Sequence, residues 1–186
     1  MNKLFLSNYL YIFACVKYKQ VPNNEAMKEV LLQTKVIVCS YDELSAEDKA
    51  IVDAARGATA NSYAVYSGFS VGAALRLGNG TVVCGSNQEN AAYPSGMCAE
   101  RTTLFWANSN HPSEPVEVIA IAARNAQCEL EMPITPCGAC RQVMLETERR
   151  FGNAIRIILY GSKQCYVIDD GIMALLPLSF DSAFLE

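Results

Sequence analysis

The chain has 186 residues, 51% of them apolar, enough to bury the core of one domain with a short appendage. Its formal net charge is −4 and no basic run exceeds Arg149-Arg150, whereas a polynucleotide binder usually carries a basic stripe to neutralise phosphates. The composition therefore argues against a nucleic-acid polymer as partner and for a small or neutral one. Eight cysteines, most of them single in apolar surroundings, read as the free thiols of a reduced, cytoplasmic chain rather than as a disulfide scaffold.

Along the chain, Lys3 is followed by a mostly apolar stretch from Leu4 to Val16 that ends in Ala14-Cys15. It is too short to cross a bilayer, so no membrane partner is expected. It loosely resembles the apolar region of a signal peptide, although Asn8, Tyr9 and Tyr11 interrupt it. We expect residues 1–26 to be an extension, either a weak signal-like segment or an over-extended reading frame whose start is Met27. Residues 27–186 are expected to form a single domain.

Val36-Ile37-Val38 suggests an edge strand. Ser45 with Asp48 resembles a capping box, and Ile51, Ala54, Ala55 and Ala58 recur at helical spacing, predicting a helix from about Ala46 to Ala60. Phe69, Val71, Ala73, Leu75 and Leu77 alternate as in a half-buried strand. Asn79-Gly80 then predicts a type I′ hairpin turn, with Thr81 to Gly85 returning as the partner strand. Cys98 to Asn108 reads as a helix. The apolar run Val116 to Ala123 reads as a central strand covered on both faces. Thr135-Pro136 looks like an N-cap with proline in the first helical position, opening a helix to about Arg150. Ile155 to Tyr160 and Cys165 to Ile168 read as strands, and Ile172 to Leu176 as a short helix. Interleaved strands and helices make the class α/β.

Two segments carry chemistry: Cys98-Ala99-Glu100-Arg101 and Pro136-Cys137-Gly138-Ala139-Cys140. Each sits at a predicted helix start. Cys137 and Cys140, three apart, share a helical face in a first turn whose dipole favours thiolate, the metal-binding form. If the two helix starts meet, three thiolates converge. Zinc suits such a set, and three protein ligands leave one coordination position open, as in catalytic zinc sites. His111, the only histidine, lies in a polar loop and is not a convincing fourth ligand. Water activated at such a site has a pKa near roughly 7. Glu100 is placed to exchange protons with it. Three thiolates on Zn2+ leave a charge of −1, which Arg101, three residues from Cys98, could offset by donating to sulfur.

A Cys-x-Glu segment followed by Pro-Cys-x-x-Cys is the zinc deaminase pattern. With Tyr66 to Ala74, Asn87 to Ala91, Tyr93 to Thr102 and Pro136 to Gln142, the chain resembles the cytidine deaminase family, over roughly Leu44 to Phe180. The resemblance implies a three-layer α/β/α cytidine deaminase-like fold around a central mixed sheet of about five strands. It implies a hydrolase of pyrimidine salvage that converts cytidine and deoxycytidine to uridine and deoxyuridine with release of ammonia. It further implies Cys98, Cys137 and Cys140 as zinc ligands, Glu100 as the catalytic proton carrier and Arg101 behind the sulfurs. Phe69, Asn87, Glu89, Ala99 and Phe180 become substrate contacts, with Asn87 and Glu89 on the sugar hydroxyls. Phe180 would close the site of a neighbouring subunit, because Cys at the first ligand position matches the short, homotetrameric form of the family. Val65 departs from the proline usual before Tyr66-Ser67.

Blander readings stand beside these. The three cysteines could form a structural zinc site short of one ligand, in a non-enzymatic binding module. Arg101 could be a surface residue, Asn87 and Glu89 could cap a turn, and Phe69 and Phe180 could serve packing alone. Cys15, Cys39, Cys84, Cys128 and Cys165 read as core or incidental. The alternative enzyme is a deaminase of another aminopyrimidine nucleoside, such as blasticidin S. A polynucleotide deaminase would need basic grooves and stacking aromatics.

Overall fold

The computed structural model describes residues 30–185. The expectation for residues 1–26 lies outside them. Six strands form one sheet: β1 (Ile37–Cys39), β2 (Ser70–Leu77), β3 (Val82–Ser86), β4 (Val116–Arg124), β5 (Arg156–Tyr160) and β6 (Cys165–Ile168). The order across the sheet is β1-β6-β5-β4-β2-β3. Only β4 and β5 are parallel; the other pairs are antiparallel, so the sheet is mixed. The resemblance implies about five strands; the sixth, β1, is the edge strand that Val36-Ile37-Val38 suggests, and it pairs with β6 and covers its free side.

Among the described residues, three helices cover the two faces: α1 (Ala46–Ala58), α2 (Ala99–Asn110) and α3 (Gly138–Phe151). The alternation along β4 decides which goes where. Its isoleucines, Ile119 and Ile121, join Leu75, Leu77, Ile157 and Leu159 on one face, against Leu104 of α2 and Met144 and Leu145 of α3. The opposite face mixes small residues, Ala74, Ala120 and Ala122, with Val118, Ile158 and Val167, and receives Ile51, Val52 and Ala55 of α1. The small residues let α1 lie close. At Gly72 a Cβ atom would come within 2.1 Å of the Ala55 carbonyl oxygen, so only glycine leaves room for the helix there.

The predicted elements hold with shifts at their ends. Ser45 caps α1 by accepting from the Asp48 amide. The β2–β3 hairpin differs from the type I′ turn expected at Asn79-Gly80. Leu77 N–H donates to the Thr81 carbonyl, the Gly80 amide donates to the Leu77 carbonyl, and only Gly80 has positive φ. This is a three-residue loop in which a left-handed glycine follows a type I turn. Gly78, rather than Asn79 alone, joins Gly80 in the loop and lengthens it by one residue. Helix α3 begins two residues later than Thr135-Pro136 predicts, with Cys137 at its N-cap. The segment Ile172–Ala174 is a single 3-10 turn rather than a longer helix.

Strands β3 and β4 are both antiparallel to β2 and therefore run in the same direction. Their C-terminal ends share one end of the sheet. The chain leaves β3 through Asn87–Glu89 to α2, and leaves β4 through residues 125–137 to α3, so both helices start at that end.

A charged cluster anchors the connection after β4. Arg56 of α1 donates from Nε to Glu129 at 2.8 Å, and Tyr160 donates its hydroxyl to the same carboxylate at 3.0 Å. The guanidinium lies over the rings of Tyr160 and Tyr41, 4.8 and 5.7 Å from their centroids. The Arg56 hydrogen bond is the largest effect holding the Glu129 carboxyl below its ordinary pKa, and it acts against partial burial. Stability from this carboxylate is present above the unfolded value of about 4.3 and is lost as pH falls through the lower folded value. Urea midpoints measured from pH 6 down to pH 3 should therefore fall, and Glu129→Gln should flatten part of that fall. An identical slope in the variant would show that the cluster contributes nothing.

Candidate metal centre and cleft

The helix starts bring the three cysteines together. Cys98 is the N-cap of α2 and Cys137 the N-cap of α3, both with extended backbone and neither side chain capping its own helix. Their sulfurs are thus free to point at one another. Cys140, one turn into α3, is buried. Cys98 Sγ lies 3.8 Å from Cys137 Sγ, which lies 3.4 Å from Cys140 Sγ, and all three fall within 4.8 Å of one another. Sulfurs each about 2.3 Å from one tetrahedral ion stand about 3.8 Å apart, so the set has the spacing of a shared metal.

The charges point the same way. The Cys98 thiol is pulled down to about 5, chiefly by a hydrogen bond from Cys140 and then by Arg101, against the cost of burial. Cys140 is pushed up in return, by that same hydrogen bond and by burial. One negative charge settles readily at Cys98, while ionisation of Cys140 meets repulsion and desolvation. A cation among the sulfurs is what would let all three ionise together. Arg101 Nη2 reaches Cys98 Sγ at 3.6 Å. Its Nε is buried without a partner among the described residues, a donor still available beside the sulfurs. Cys98, Cys137 and Cys140 therefore fit a metal ion by spacing, charge and donor type.

Glu100 is 4% exposed. Burial raises its carboxyl above the ordinary range, the charge at Cys98 adds to this, and a hydrogen bond with Cys140 acts against it. A carboxyl so placed takes and returns a proton nearer neutral pH than a surface one. It lines a cavity of about 560 Å3 together with Cys98, Ala99, Arg101 and Cys137.

Asn87 and Glu89 form another wall of that cavity. Asn87 is tied to the start of β2: its Oδ1 accepts from the Val71 amide at 2.7 Å and its Nδ2 donates to the Phe69 carbonyl at 2.9 Å. Glu89 accepts from the Ser67 hydroxyl and from the Tyr66 and Ser67 amides, which hold its carboxyl below the usual range. Three donors leave lone-pair capacity on the carboxylate. Phe69 is half-buried and does not line the cavity; its contribution is its backbone, whose N–H donates to Ser67 Oγ. Phe180 is 60% exposed, stacks on Phe184 with ring centroids 5.7 Å apart, and lies outside the cavity of its own chain.

The sequence reading singled out neither Ser67 nor Arg141. Ser67 was legible as a hydroxyl ahead of Gly68, whose φ of +64 turns the chain back toward Glu89. Arg141 was legible as a cation near a helix N-terminus, where the dipole disfavours it unless something else holds it.

Paired helix N-termini that gather three thiols beside a buried carboxyl, on a mixed sheet, define a class of metal-site α/β proteins. The zinc-binding region of cytidine and deoxycytidylate deaminases matches residues 45–152, and the chain belongs to that family. It is similar to the cytidine deaminase of Halalkalibacterium halodurans, 46% identical over 85 residues that span 46% of this chain and 60% of the relative. It is similar to that of Sporosarcina psychrophila, 41% identical over 96 residues spanning 52% and 66%. The matched stretches thus cover under two thirds of those relatives. Among solved structures, cytidine deaminase from Burkholderia pseudomallei superposes with a TM-score of 0.61 at 36% identity, over 74% of this chain and 100% of that one. The enzyme from Mycobacterium tuberculosis gives 0.57 at 27%, over 74% and 99%.

Cys98→Ser should lower bound divalent metal at least ten-fold in the purified chain, by elemental analysis after dialysis, with the fold kept by circular dichroism. Full metal content in the variant would remove Cys98 from the ligand set.

Proposed function

We propose that the chain is a hydrolase that deaminates cytidine and deoxycytidine to uridine and deoxyuridine, releasing ammonia, with zinc held by Cys98, Cys137 and Cys140. The observation that carries this reading is the meeting of three sulfurs with a buried carboxyl on the wall of one cavity. The similarity to proteins described as cytidine deaminases supports the choice of substrate.

Zinc bound there supplies a Lewis acid that makes water nucleophilic near neutral pH. Glu100 takes a proton from that water and delivers it to N3 of the ring. It then carries a second proton to the departing amine, so that water and C4–NH2 become C4=O and NH3. Its burial suits this duty, since both protonation states are reachable. Arg101 donates to Cys98 and spreads the negative charge of the sulfurs. Asn87 and Glu89 receive the sugar hydroxyls, Glu89 as an ionised acceptor already oriented by Ser67 and Tyr66. The backbone of Ala99, in the first turn of α2, offers a donor to the base.

Purified chain incubated with cytidine should yield uridine and ammonia in equal amounts. Glu100→Gln should lose at least 100-fold in kcat with zinc content unchanged, since a positioned acid–base contributes about 10^2–10^4. Wild-type turnover in that variant would reject the assignment.

The exposed Phe180–Phe184 stack beside Leu178 supports a homotetramer in which this tail meets a second copy. Sedimentation should give four times the mass of the chain, and Phe180→Asp should shift it toward smaller species. A monomeric parent chain would end this part of the proposal. The setting proposed is the cytoplasm; among the described residues no helix is long and apolar enough to cross a membrane.

A further inference from the structure

The three sulfurs are not equally well held. Cys140 is buried in the interior, and Cys98 is half-buried against Arg101. Cys137 is exposed, and the residue after it, Gly138, has open space where a side chain would be. Packing therefore does little to fix the direction of the Cys137 side chain. Its backbone must do so.

Arg141 supplies that restraint. Its Nε donates to the carbonyl of Pro136 at 2.8 Å, its Nη1 to the carbonyl of Leu175 at 2.6 Å and its Nη2 to Thr135 Oγ1 at 3.2 Å. The Pro136 carbonyl belongs to the peptide that leads into Cys137. Thr135 lines the cavity beside Cys137. Leu175 belongs to the C-terminal segment, which is tied to α3 again by Gln142 donating to the Phe180 carbonyl and by the Arg149–Asp181 ion pair. A planar guanidinium with its donors in a fixed fork can hold three acceptors from two segments at once; an ammonium cannot hold them in that geometry. The first turn of a helix is also electrostatically unfavourable for a cation. These bonds account for an arginine there.

We infer that Arg141 is a positioning residue for the metal centre, fixing the approach of Cys137 and tying that approach to the C-terminal segment. The inference rests on the reading that the three cysteines hold zinc. It concerns retention of the ion rather than the reaction.

The test uses the full chain loaded with one equivalent of zinc. Release into a chromophoric chelator is followed at fixed pH, and the urea midpoint of the metal-free chain is measured alongside. Partners of metal ligands commonly contribute ten- to hundred-fold in affinity. Arg141→Lys, which keeps the charge and loses the fork, should release zinc at least ten-fold faster with little change in the metal-free midpoint. Arg141→Ala should release it faster still; if that variant does not fold, the lysine variant decides alone. Arg149→Gln loosens the same C-terminal segment away from Arg141 and should release zinc at the parent rate. Release from Arg141→Lys at the parent rate overturns the inference. So does equal acceleration in Arg149→Gln, or acceleration matched by an equal loss of metal-free stability. A parent chain that takes up no zinc would defeat the metal reading itself, and this inference with it.

Discussion

Three thiols crowded within 4.8 Å of one another form the constraint around which the rest of the molecule is arranged. Left to themselves, Cys98 takes the negative charge and Cys140 keeps its proton, because a thiolate at Cys140 would meet repulsion and loss of water. Their neighbourhood works against that cost. Two helices begin at the cluster, where their dipoles favour negative charge, and Arg101 contributes a full positive charge. Glu100 responds to the same field: burial and the sulfur charge together favour its protonated form. The three thiols, the Glu100 carboxyl and the Arg101 guanidinium are thus one electrostatic problem rather than separate features.

The sheet solves the geometric half of that problem. Because β3 and β4 run the same way on either side of β2, the chain emerges from both at one end, and α2 and α3 begin there. Large side chains fill the face under these two helices, while alanines and Gly72 thin the other face so that α1 can lie against it. The Arg56–Glu129–Tyr160 cluster then secures the connection between β4 and α3. Rigid elements carry the three cysteines, and their supports come from side chains elsewhere in the chain.

Local signals were read well where the physics is local. Alternation along β2, the apolar run of β4, Ser45 ahead of α1 and the paired cysteines three apart all depend on neighbours within a few residues. Where the structure departs from local expectation, the cause lies in which residues the fold brings together. Whether Asn79-Gly80 closes a two- or three-residue loop depends on which residues of β2 and β3 pair, and the pairing brings Gly78 into the loop. Thr135 has the chemistry of a cap, but its hydroxyl accepts from Arg141, and Cys137 takes the N-cap position. The edge strand expected at Val36-Ile37-Val38 is present as β1, but its partner, β6, is set by the fold rather than by its neighbours.

The sequence by itself determined the chemistry on offer: three thiols and a carboxyl, set at two helix starts by spacing that follows from the helical period alone. Tertiary structure decided what those groups do to one another. The closeness of Cys98 to Cys137, the burial of Glu100, the hold of Ser67 on Glu89 and the reach of Arg141 to Leu175 each join residues far apart in the chain. Spacing can specify a face of a helix. Only folding sets the distance between two helices, and with it the charge that a thiol or a carboxyl will bear.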